Sequence, residues 1–275
     1  MKTAMTDDPL HRIAAALDRL APPGAAPVDL AAGLAYIWDG RALTRVHRFA
    51  PMPIDLLIGI DRQKSVFVDN LRRFADGAAA HDMLLWGARG TGKSALVKSA
   101  VAAVAADHPA LALVAVGASE GLTALFAQLA AVDRPFLLFF DDLGFDGPSE
   151  GRALRSVLDG GVEQRPANVR LAVTANRRHL MPRDIAAQDS AINPRDSIDD
   201  ELALADRFGI SLGFHALDQD GYLAIVAAYG AAHGVAVDPA AAIEWAARRG
   251  GRSGRVAWHY VVEAAGRAGQ DLRGS

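Results

Sequence analysis

Residues 87–94 read GARGTGKS, a full match to the phosphate-loop pattern G-x-x-x-x-G-K-[ST]. Each fixed position has a task on a nucleoside triphosphate. Gly87, Gly90 and Gly92 allow positive φ and let backbone approach phosphate closely. The loop's N–H groups then line an anion-binding nest at a helix N-terminus. Lys93 reaches the β- and γ-phosphates and the Ser94 hydroxyl ligates Mg²⁺, so the expected contact stretch is Gly87, Ala88, Arg89, Gly90, Thr91, Gly92, Lys93, Ser94 and Ala95. The competing reading is a glycine-rich surface turn. Against it, Asp82–Trp86 reads as a short buried strand and Ser94–Ala106 as a helix, the strand–loop–helix order that the motif requires.

Downstream, apolar runs of strand length alternate with helical patterns. Strands are expected at 111–118, 135–142, 169–176 and 210–214, and helices at 119–131, 149–160 and 201–208, with a polar loop at 181–200. Such alternation implies a parallel sheet covered on both faces. After Asp218 the strands stop, and 219–233, 239–248 and 254–268 read as three helices of a small second unit. Upstream, Asp61 is placed to cap a helix whose apolar face is Val66, Val68, Leu71 and Phe74. Residues 8–20 have amphipathic helical spacing, APPGAAP at 21–27 reads as a linker, and 28–39 is expected to form a second short helix.

Four apolar residues, Leu137–Phe140, deliver Asp141 and Asp142 to the carboxyl end of a buried strand, where open α/β sheets bind ligands. There Asp141 would hold Mg²⁺ opposite Ser94, and Asp142 would polarise the attacking water; the alternative is a pair of helix-capping acids. Asn176 ends the strand VRLAVTAN, where an amide orients water or touches the γ-phosphate, or simply serves a turn. Arg207, in Asp206-Arg207-Phe208-Gly209, is a candidate for stabilising phosphoryl charge from a neighbouring subunit, against the alternative of a surface pair with Asp206. Ser253 is placed to cap the last helix. Arg255 then opposes the helix dipole, which suggests an anionic partner, with Arg252 an alternative for the same task. Arg177-Arg178-His179 reads mainly as a solvated basic face, His215 as structural, and Trp258 and Tyr260 as lid packing rather than base stacking.

This combination resembles the AAA+ ATPases over about residues 54–268, and more closely the bacterial predicted-ATPase group called domain of unknown function 815. The carrying stretches are LIGIDRQK at 57–64, LLWGARGTGKS at 84–94, FFDDLGF at 139–145, ANRRHLMP at 175–182, DRFGISLGFHALDQDGYLAIV at 206–226 and GRSGR at 251–255. The resemblance implies that Asp141 and Asp142 are the acidic pair, Asn176 the first sensor, Arg207 the finger and Arg255 the second sensor. It further implies that Leu57, Ile58 and Ile60 pack near the adenine. Most AAA+ proteins carry Glu at the second acid; Asp142 is one methylene shorter, which bears on turnover more than on binding.

The resulting expectation is an α/β fold: a five-stranded, mostly parallel P-loop NTPase sheet at 51–217, a C-terminal all-helical lid at 218–275 and a short helical N-terminal arm at 1–50. ATP and Mg²⁺ are the expected cofactors. The expected activity is ATP hydrolysis that remodels a protein or protein–DNA complex in a homo-oligomer, or else a switch or loader that recruits a partner in the ATP state. Bulk properties agree. The 275 residues are 51% hydrophobic, enough for a sizeable core. A net charge of −3 is unlike a dedicated nucleic-acid binder, and the lack of cysteine excludes disulfides and thiol catalysis. With no apolar run of about 18 residues and with acids ahead of the first apolar patch, a cytoplasmic setting without a leader or membrane span is expected.

Overall fold

The computed structural model describes residues 28–142, 165–176 and 207–272. The expected helices at 8–20 and 149–160, the linker at 21–27, the 181–200 loop, Arg177-Arg178-His179, Asp206 and most of the expected 201–208 helix lie outside the described residues.

Seven strands form one sheet: β1 (Ala35–Trp38), β2 (Leu43–Arg45), β3 (Met83–Gly87), β4 (Ala112–Val116), β5 (Phe136–Phe140), β6 (Val169–Asn176) and β7 (Ile210–Phe214), in the order β2-β1-β4-β5-β6-β3-β7. Among the described residues only the β1–β2 pair is antiparallel. The sheet is thus wider than the five strands expected. The added pair is β1 and β2, where the sequence suggested a helix over 28–39 and an all-helical arm. Leu30, Leu34 and Ile37 have the i, i+4, i+7 spacing that a helix would also satisfy, but the outcome is set by distant partners. Tyr36 pairs with Val114 in β4, and the buried Trp38 indole donates to the Glu120 carbonyl at 2.9 Å.

Helices cover both faces. The helices α1 (Asp61–Ala75) and α2 (Lys93–Ala105) bury Phe67, Leu71, Phe74, Leu96 and Val97 against one face, with Leu85, Leu137 and Phe139 beneath. The helix α3 (Leu122–Ala130) buries Leu125, Phe126 and Leu129 on the other, against Leu84, Leu138 and Val173. Each such side chain contributes roughly 1.5–3 kcal/mol. This two-sided burial is why β3 and β5 read as continuous apolar runs. Asp61 is the first residue of α1 rather than its cap; Ile60 holds the cap position, and Asp61 pairs with Lys64 at 2.8 Å.

The lid is α4 (Gln219–His233), α5 (Pro239–Arg248) and α6 (Gly254–Arg267), with its own core around Tyr222, Val226, Ala257 and Val261. Its helix starts follow capping chemistry: Asp218, Asp238 and Ser253 accept from the N–H groups of Gly221, Ala240 and Val256. The segment before α1 threads the joint between sheet and lid. Leu57 and Ile60 pack into the sheet core, while Leu56 and Ile58 pack against the lid. No helix among the described residues is long and apolar enough to cross a membrane.

Candidate nucleotide site

The strand β3 ends at Gly87, α2 begins at Lys93, and Gly87, Gly90 and Gly92 all have positive φ. At Gly87 a side chain would overlap the Phe214 carbonyl of β7, so glycine is required where the two parallel strands crowd. At Gly90 an added Cβ would lie 2.8 Å from the Ser253 Cβ, and the Gly254 N–H donates to the Gly90 carbonyl at 3.1 Å. The start of α6 therefore rests directly on the loop.

Lys93 is buried, and its ammonium donates to the carbonyls of Gly87 and Ala88, each at 2.8 Å. Burial pushes its pKa below the ordinary lysine value, while Asp142 and Asp141 pull it back up. One helical residue later, Ser94 Oγ donates to Asp141 Oδ1 at 2.5 Å. The Thr174 hydroxyl donates to the same Oδ1 at 2.9 Å and accepts from the Asp142 N–H at 2.7 Å. Asn176 Nδ2 donates to Asp142 Oδ1 at 2.5 Å. The register explains the meeting: β6 lies between β3 and β5, and Asn176 is level with Gly87.

A cavity of about 300 Å³, at the lower end of the range for small-ligand sites, opens between loop and lid. Of the expected residues, Leu57, Ile58, Ile60, Gly90, Thr91, Gly92, Lys93, Ser94, Ala95 and Arg255 line it. Asp141 and Asp142 line a separate polar cavity of about 120 Å³ at the ends of β4 and β5. Gly87 and Ala88 meet the site through their carbonyls on Lys93. Arg89 points outward, 77% exposed, and approaches Asp142 at 3.4 Å. Arg252 is near Gln219 at 3.4 Å rather than lining the cavity. Arg207 is exposed and precedes β7, whose first residue pairs with Met83 at the start of β3. It is therefore at the opposite end of the sheet from the loop.

Three contributors were not singled out for the site from sequence. Thr174 shares a strand face with Asn176 two residues on, a signal available from alternation. Lys98, one helical turn after Ser94, places its ammonium 3.7 Å from Asp141. Trp258 packs against the lid core, as its place in the last helix suggests, and also lines the cavity, edge-on to Tyr229 with ring centroids 6.0 Å apart; Tyr260 is buried in the lid core.

Known proteins share this architecture. The chain aligns structurally with the Thermotoga maritima RuvB Holliday junction branch migration motor (TM-score 0.50, 18% identity, 80% of this chain and 67% of that one). It also aligns with the Aeropyrum pernix ORC1 protein in complex with DNA (TM-score 0.54, 16% identity, 78% and 65%). The chain thus spans about two thirds of each. At these identities the likeness is one of fold. No protein of curated function matches the sequence. Residues 31–268 match the model of the family described as Protein of unknown function (DUF815). The chain belongs to that family and has the AAA+ P-loop ATPase fold.

Proposed function

We propose that this protein binds Mg-ATP between loop and lid and hydrolyses it to ADP and phosphate, and that a homo-oligomer uses the cycle to remodel a protein or protein–DNA complex. The observation that carries the reading is the continuous hydrogen-bonded series from Ser94 through Asp141, Thr174 and Asp142 to Asn176, built beside a glycine cradle and a buried lysine. The donor set fits the cofactors. Ser94 and Asp141 offer hard oxygen to Mg²⁺, which takes one or two protein groups and otherwise phosphate and water. The metal would neutralise charge on the phosphates. Lys93 binds the β- and γ-phosphates, Asp142 and Asn176 hold the attacking water, Arg255 reaches the phosphates from the lid, and the base lies against Leu57, Ile58 and Ile60.

Arg207 is assigned to the neighbouring subunit's nucleotide. The four residue steps from Ile210 to Phe214 span about 13 Å of strand, so an arginine before Ile210 is poorly placed for its own loop. Remodelling is suggested by the fold shared with a branch migration motor and a DNA-bound protein. A cytoplasmic setting belongs to the same proposal. A second reading, a switch or loader with little hydrolysis, is favoured by one observation: the shorter Asp142 carboxylate is already engaged by Asn176.

The test is phosphate release from Mg-ATP as protein concentration rises. Specific activity should climb with concentration. It should fall about 10³-fold in Arg207→Ala without loss of folding. Adding Lys93→Ala subunits, which still carry Arg207, should restore part of it. No restoration would refute action in trans, and tight binding with negligible release at every concentration would select the switch.

A further inference from the structure

We propose that Thr174 is a positioning residue that sets the metal-holding carboxylate of Asp141 and the water-polarising carboxylate of Asp142 relative to each other. The proposal rests on reading the site as a Mg-ATPase centre. Along β6, Leu171, Val173 and Ala175 pack on the α3 side of the sheet and Ala172 on the α1–α2 side. The two-residue period puts Thr174 and Asn176 on that second face, the face of the helix that carries Ser94. Thr174 is 1% exposed, within a buried run whose other members, Leu171, Ala172, Val173 and Ala175, are apolar. A buried hydroxyl there is costly unless satisfied, and valine would match its shape and its strand preference. Its polar atom therefore points to a task.

Both hydrogen bonds of that hydroxyl go to the acid pair. A threonine O–H carries one proton and two lone pairs, so it donates to Asp141 Oδ1 and accepts from the Asp142 N–H at the same time. The first bond joins that of Ser94 on one carboxylate oxygen and leaves Asp141 Oδ2 towards Lys98. The second holds an unusual backbone. Asp142 has φ 53°, the sole positive value at a non-glycine among the described residues. Aspartate tolerates this left-handed conformation better than most residues, yet it still needs support. In this conformation the Asp142 carboxylate meets Asn176, and the N–H bound by Thr174 fixes the turn. One side chain thus links the orientation of both acids.

The experiment compares wild type, Thr174→Val and Thr174→Ser in two readouts: competition of ATP against a fluorescent ATP analogue with EDTA or with Mg²⁺, and phosphate release. Thr174→Val should bind ATP in EDTA as wild type does. It should lose about 10- to 100-fold in phosphate release and in the strengthening of ATP binding by Mg²⁺. Thr174→Ser, which keeps the hydroxyl and drops the methyl, should recover most of both. If Val lowers the melting temperature, Thr174→Ala serves in its place with the same expectations. Val equal to wild type in both readouts would overturn the proposal, as would Ser as defective as Val, which would assign Thr174 to packing. Failure of the underlying reading looks different: wild type itself would bind ATP equally with and without Mg²⁺ and release no phosphate, and the proposal would fall with it.

Discussion

At the phosphate end of the crevice the side chains of Lys93, Ser94, Asp141, Thr174, Asp142 and Asn176 are each held by at least one named hydrogen bond. At the lid end, Met52, Ile58, Ile225 and Trp258 offer apolar surface, and Tyr229 contributes its ring and a hydroxyl near the Met52 sulfur. In the proposed ATP site the two ends would bind by different physics. Hydrogen bonds are directional, so a given task needs a given residue type at a given spacing. Apolar burial is non-directional, so many residue types serve it. The phosphate end is accordingly compact in sequence within each element. The lid end gathers residues from before α1, from α4 and from α6.

Substitutions at the two ends should differ in size and kind. Lys93→Ala removes a buried cation and should weaken ATP binding about 100-fold, on the scale of a hydrogen bond to a charged group. Unchanged affinity in a titration would break the phosphate-end assignment. Trp258→Ala should cost less, about tenfold in affinity on the scale of base–aromatic contacts. Turnover at saturating ATP should be little changed, because Trp258 and the two acids line different cavities. A Trp258→Ala variant with full affinity and slowed turnover would reverse the comparison, making the lid end the one that acts on chemistry.

The same contrast governs what could be read in advance. The strands β6 and β7 and the helices α4 and α5 have the bounds that hydrophobic periodicity suggests, since each is a local pattern, and the two helices carry their own caps in Asp218 and Asp238. GARGTGKS and the FFDD strand end were legible because each is a fixed local pattern, and the fold brings them together where Ser94 meets Asp141. The strand β1 was not legible: AYIW is short, and its identity as a strand comes from β4, far along the chain. Alternation puts Thr174 on one strand face with Asn176, yet its β-branched side chain also reads as one more strand-former within VRLAVTAN. Only the folded register shows that its hydroxyl faces Asp141 rather than solvent. Trp258 was readable as an inward residue of α6, but whether inward meant lid core or cavity depended on where α6 docks. At the loop, that docking includes the Gly90–Gly254 backbone bond.

The central claim is that the hydrogen-bonded acid pair beside the phosphate loop turns over ATP. The most direct test is phosphate release from Mg-ATP by wild type and by Asp142→Asn, with ATP binding measured on both. Binding should be unchanged, and release should fall by about 10²-fold or more, the contribution of a positioned general base. Equal release by the two proteins would contradict that claim and move the water-polarising group away from Asp142.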